Sequence, residues 1–172
     1  MSHVPPPLYV ALAEAVPDLH VHCVDPWCLI GSAAALLAGA DTGVADVDVL
    51  ASPADAGRLE EAWASRRERG HAPAAADCFR SRFARYRFPG LPVEVMGGLE
   101  LFADGAWRPV RPGRLMLVGV DGLAVPVPAV AEQVRLLEGF GRDKDLRRAA
   151  ALRSLLPLPA GERAGVMGGG LP

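Results

Sequence analysis

Nothing in this chain of 172 residues approaches the run of about 20 apolar residues that spans a bilayer. Its first residues, Met-Ser-His-Val-Pro-Pro-Pro, lack the basic and apolar regions of a signal peptide. Cysteine is scarce. Cys23, Cys28 and Cys78 are an odd number without zinc-ribbon spacing, as expected of reduced thiols in a cytoplasm. Lysine is scarcer still: of 18 basic residues only Lys144 is not arginine. The net charge of -2 argues against bulk attraction to nucleic acid or to an anionic membrane. No internal repeat is present. What remains is a 51% apolar composition, ample for a core, and a length that suits one domain. The expectation is a cytoplasmic globular protein.

The hydrophobic pattern alternates helices and strands. A short helix is expected over 8–16, ended by Pro17 and Asp18, and a buried strand over 27–30. An apolar helix over 33–38 stops at Gly39, and a strand covers 46–51. Ser52-Pro53 reads as the cap of a long helix over 54–69. Strands follow over 79–88 and 91–96 around the turn Pro89-Gly90, then over 115–118 and 123–127 around the hairpin signal Asp121-Gly122. Pro128 opens a helix carrying Val130, Val134 and Leu137, and a last helix spans 143–156. This is an α+β pattern, a mixed sheet with helices packed on it. It divides into a core over 27–127, C-terminal helices over 128–156 and a disordered tail over 157–172.

The chemistry concentrates in two short segments. In Cys28-Leu-Ile-Gly-Ser32 an apolar strand runs into a helix start, whose free N–H groups suit a phosphate. In Ala45-Asp-Val-Asp-Val-Leu50 the alternation of a strand places Asp46 and Asp48 on one face and Val47 and Val49 on the other. Two adjacent carboxylates call for a cation, and magnesium is held in this way together with substrate phosphates. The pairing reads as a site for a nucleoside triphosphate and its metal.

These segments resemble those of the DNA polymerase β-like nucleotidyltransferase superfamily, in particular its small bacterial, antibiotic-modifying or toxin-like members. Such proteins carry Gly-Ser at a helix start, Asp-x-Asp on the next strand and a third carboxylate on a later strand. Gly31-Ser32 and Asp46-Val47-Asp48 match the first two parts, and Glu94 in Pro92-Val-Glu-Val-Met96 is the candidate for the third, with Glu100 the substitute. Arg142-Asp-Lys-Asp-Leu146 resembles the segment that opens the last helix in several of these families. The resemblance covers roughly 27–156. It implies the nucleotidyltransferase fold and transfer of a nucleoside monophosphate from ATP or another triphosphate to a hydroxyl or phosphate acceptor. The acceptor could be a small molecule, an RNA end or a protein. Magnesium or manganese would sit on Asp46, Asp48 and Glu94, and Gly31, Ser32, Lys144 and Arg142 would bind the nucleotide. The third acid departs from the family's usual aspartate, and beyond Met96 no acceptor motif is recognised.

Other readings stand beside this one. Asp46 and Asp48 could begin a strand as solvated charges, and a non-catalytic nucleotide-binding module could keep the same fold. Arg80, Arg82, Arg85 and Arg87, interleaved with Phe79, Phe83, Tyr86 and Phe88, read first as a solvated face of an antiparallel strand. Triphosphate or acceptor binding comes second, and contact with nucleic acid, not favoured at this net charge, third. His20 and His22 read as one strand face with too few partners for zinc.

Overall fold

The computed structural model describes residues 4–73 and 75–157; the expected tail beyond 157 lies outside them. The chain order is α1 (Pro6–His22), β1 (Cys28–Ile30), α2 (Gly31–Leu37), β2 (Val47–Ala51) and α3 (Pro53–Ala62), then a 3₁₀ turn (Ala64–Arg66). There follow β3 (Arg67–Glu68), β4 (Phe79–Tyr86), β5 (Val93–Ala103), β6 (Ala106–Pro109), β7 (Leu115–Val120), β8 (Leu123–Pro128), α4 (Val130–Phe140) and α5 (Asp143–Arg153). Strands β1-β2-β5-β4-β3 form a mixed sheet in that order, with β6 on the far half of β5. Only β2 and β5 run parallel; β7 and β8 form a separate hairpin. No helix among the described residues is long and apolar enough to cross a membrane.

The alternation in β2 and β5 decides the two faces of the sheet. Val47 pairs with Val93 and Val49 with Val95, and all four are buried with Leu8, Leu12, Leu19, Leu59, Trp63 and Tyr86 from α1, α3 and the sheet. Removing one such leucine side chain costs about 2–5 kcal/mol. The residues between them, Asp48 and Glu94, are register partners and turn to the opposite face. There Cys28, Ile30, Leu50, Leu99, Val110 and Leu136 build a smaller apolar cluster around the open part of the sheet. A third cluster joins α2 to α4 and α5 through Ala35, Val134, Leu137, Ala149 and Leu152.

Several boundaries differ from expectation, for tertiary reasons. Helix α1 does not stop at Pro17 but runs on to His22. An internal proline costs about 3 kcal/mol, against which stand the burial of Val16 and Leu19 and a bond of 2.8 Å from Trp63 Nε1 to Asp18 Oδ2. His20 and His22 are therefore helical, not on a strand. His20 Nε2 bonds Ala124 O at 2.8 Å and its ring meets Trp27 edge-on. Helix α3 opens as expected, with Ser52 Oγ accepting from Asp55 N–H, but it ends at Ala62 rather than Arg69. Trp63 leaves the helix because its ring is locked edge-on between Tyr86 and Phe88, and Arg67–Glu68 then pair with β4 as an edge strand.

Strand β5 continues past Met96 to Ala103, and β6 was not expected at all. Helix α5 ends at Arg153 rather than 156. The hairpin forms around Asp121 (φ +45°) and Gly122 (φ +84°), the left-handed pair that such a turn demands.

Asp55 is a buried charge outside the sequence reading. Burial is the largest influence on its carboxyl and opposes ionisation, but N–H groups of Val24 (3.0 Å) and Asp25 (2.9 Å) and the Arg58 guanidinium outweigh it. The carboxyl lies below its usual range and fastens α3 to the α1–β1 connection.

Candidate active site

The seven expected site residues line one cavity of about 320 Å³ on the face of the sheet opposite α1 and α3. Gly31 and Ser32 come from the β1–α2 junction, Asp46 and Asp48 from the start of β2, Glu94 from β5, and Arg142 and Lys144 from the start of α5. Glu100 is not among the lining residues; it accepts from Arg80 Nε at 2.5 Å farther along β5.

The junction dictates the approach of Gly31 to Asp48. Ile30 is extended, Gly31 takes φ +66°, and α2 begins at once. A Cβ on Gly31 would stand 2.5 Å from Asp48 Oδ2, so backbone and carboxylate meet only because no side chain intervenes. Asp46 lies in the bend just before β2, half-buried, and Asp48 lies within the strand. Burial above all, then the charges of Asp46 and Glu94, push the Asp48 carboxyl up from 3.8 to about 7; Lys144 and Arg142 act in the opposite direction.

Glu94 is not free. Arg85 Nη1 donates to its Oε1 at 2.5 Å, and His71 Nε2 lies 3.3 Å from the same oxygen. Arg85 also binds Glu68 at 3.2 Å and comes within 4.0 Å of Asp46. This corrects the reading of the arginine-rich strand as a solvated face. In β4, Ala84 and Tyr86 turn into the core, while Phe79, Ser81, Phe83 and Arg85 turn into the cavity. Arg82 alone crosses to α3, donating to Glu60 at 2.9 and 3.2 Å. The register shift between Arg80 and Arg82 lets Arg80 reach the cavity rim, where it stacks on Trp107.

The far wall comes from the C-terminal helices. Phe140 meets Phe79 edge-on at 5.0 Å, and the Arg142 guanidinium lies 5.1 Å from the Phe79 ring centre. Asp145 is buried, with both oxygens turned to Arg142 (2.5 and 3.2 Å) and Arg148 3.6 Å away. It orients Arg142 rather than flanking Lys144 as a free charge. Lys144 is exposed at the cavity mouth. Sequence reasoning missed His71, Arg148 and Phe140 as parts of this site; it reached Phe79 and Arg85 only under its second reading of β4, and Asp145 only within the segment from Arg142 to Leu146.

Among the described residues, no group of three or more His, Cys, Asp and Glu side chains forms a metal cage. Asp46 and Asp48 are a different kind of donor set: two carboxylates, one of them penalised as an anion, beside a cavity open to a ligand. They fit a hard divalent ion that fills its remaining positions with water or phosphate oxygens.

No protein-family model and no curated protein sequence matches the chain. A solved structure does, that of a "putative nucleotidyltransferase" from Thermotoga maritima, at 21% identity and a TM-score of 0.69, over 89% of this chain and 95% of that one. The chain therefore has the nucleotidyltransferase fold expected from its sequence, a mixed sheet flanked by helices with two more at the C-terminus.

Proposed function

We propose that this chain is a metal-dependent nucleotidyltransferase of the DNA polymerase β-like superfamily, moving a nucleoside monophosphate from a triphosphate to an acceptor oxygen. The observation that carries this reading is the convergence of Gly31, Ser32, Asp46, Asp48, Glu94, Arg142 and Lys144 on one cavity. Asp46 and Asp48 hold magnesium or manganese, which supplies charge neutralisation of the triphosphate. Gly31 and Ser32 approach the β- and γ-phosphates, and Lys144 adds a compact positive charge at the mouth. Phe79 and Phe140 give the apolar wall for the nucleoside.

In the reaction the acceptor oxygen bonds to the α-phosphorus as the bond from that phosphorus to the bridging oxygen breaks and pyrophosphate leaves. The acceptor's proton passes to Glu94, which Arg85 orients and beside which His71 stands.

Calorimetry of ATP, GTP, CTP and UTP with and without magnesium tests the binding half. Binding should require the ion and fall sharply in Asp46→Asn and Asp48→Asn, with the folded content retained. A double variant that binds magnesium-triphosphate as well as the parent overturns the assignment. The Arg85–Glu94 ion pair favours a second reading, a module that binds the nucleotide without turnover, because it neutralises the third carboxylate. Pyrophosphate release across a panel of hydroxyl, phosphate, RNA and protein acceptors separates the two.

A further inference from the structure

Arg85 on β4 is the register partner of Glu94 on β5 and of Glu68 on β3, so one guanidinium stands between two acids on the same face of the sheet. Its Nε donates to Glu68 Oε2 at 3.2 Å and its Nη1 to Glu94 Oε1 at 2.5 Å. The same Nη1 lies 4.0 Å from Asp46 Oδ2. One nitrogen therefore faces the carboxylates of both Asp46 and Glu94. Glu94 Oε1 has a further neighbour in His71 Nε2 at 3.3 Å. With side chains 20% and 14% exposed, Arg85 and Glu94 escape much of the screening that loosens surface pairs.

Asp48 is placed differently. Its carboxyl is raised by burial and by Asp46 and Glu94, against the opposing pull of Lys144 and Arg142, so the demand for a cation falls on this residue. Phosphoryl-transfer sites with two metal ions hold them about 3.5–4 Å apart, as a clamp on the attacking and leaving oxygens. A magnesium ion shared by Asp46 and Glu94 would need both carboxylates at about 2.0–2.1 Å. The guanidinium nitrogen already stands in that place.

We propose that Arg85 replaces a second metal ion, so that the chain works with one divalent ion, on Asp46 and Asp48. The proposal rests on the nucleotidyltransferase reading of the site. Arg85 brings a fixed positive charge to the side of Glu94, where the acceptor oxygen loses its proton. Glu94 serves as the partner of this guanidinium and not as a metal ligand.

Electron paramagnetic resonance of the full chain, titrated with manganese and a triphosphate that carries carbon in place of the α–β bridging oxygen, counts the ions. The parent should hold one manganese per bound triphosphate, with the spectrum of an isolated ion. Arg85→Ala leaves Asp46, Glu68 and Glu94 together without their cation and should hold two, with the spin coupling of a close pair. Glu94→Gln keeps the question answerable if Arg85→Ala does not fold: it should retain the single ion with at most a few-fold loss of affinity. Two ions in the parent, one ion in a folded Arg85→Ala, or a tenfold or greater loss of ion affinity in Glu94→Gln overturns the proposal and leaves the nucleotidyltransferase reading standing. Triphosphate binding by the parent that ignores manganese overturns that reading, and this proposal with it.

Discussion

Asp48 bears a charge that its surroundings oppose. Its carboxyl is raised to about 7 by burial and by two acidic neighbours. A carboxyl raised on folding supports the fold at acid pH: that contribution is complete below about 3.8 and is lost as pH climbs towards 7. The ligand-free protein should therefore lose stability across this window. Asp48→Asn, which cannot ionise, should exceed the parent's stability by at least about 1 kcal/mol at neutral pH and above. Below the window the two should converge. Thermal melts in chelator over a pH series measure this, and parallel profiles for parent and variant would remove the charge burden from Asp48. The same substitution should weaken the triphosphate complex, an opposition of stability and function expected where a site is built from like charges.

At the scale of elements, the β1–α2 junction is tightly constrained. Gly31→Ala meets two obstacles at once, a left-handed φ of +66° and an Asp48 oxygen 2.5 Å from the new methyl group. We expect a loss of about 1–3 kcal/mol in stability and a larger proportional loss of magnesium-triphosphate binding, read by melts and calorimetry on the same preparation. An unchanged affinity would show that the approach of Gly31 to Asp48 is incidental. This junction and β2 were legible in the sequence because local signals agree there: apolar runs, a glycine at the turn, acids alternating with valines. Strand β4 was half legible. Its arginines and aromatics marked a strand, but which face met solvent depended on the pairing with β5 and on the loop carrying His71, contacts that alternation alone does not specify. The end of α3 was not legible, because Arg66 to Arg69 carry no helix stop before Gly70. The lock on Trp63 comes instead from Tyr86 and Phe88.

Across the whole molecule, the acids nearest Asp48 come from the sheet, while Arg142 and Lys144 come from the start of α5. Lys144 is exposed and, unlike Arg142, does not reach Asp145. Lys144→Ala should lower the ligand-free melting temperature only slightly, through the lost counter-charge to Asp48, while weakening triphosphate binding by about 1–3 kcal/mol, with a smaller effect on monophosphate. Equal losses for both nucleotides, or none, would return Lys144 to a solvated helix turn. The separation of Asp46 and Asp48 from Arg142 and Lys144 along the chain also has a consequence in time. On the ribosome Asp46 and Asp48 emerge 96 residues before Arg142 and Lys144 respectively, a delay of about 5–20 s at usual rates of synthesis. Through that interval Asp46, Asp48 and Glu94 have Arg85 as their counter-charge from the sheet, and the arrival of α5 closes the wall and adds Arg142 and Lys144 on the side of Asp48. On the proposed function, the complete set of nucleotide-binding residues is assembled only after α5 has been made.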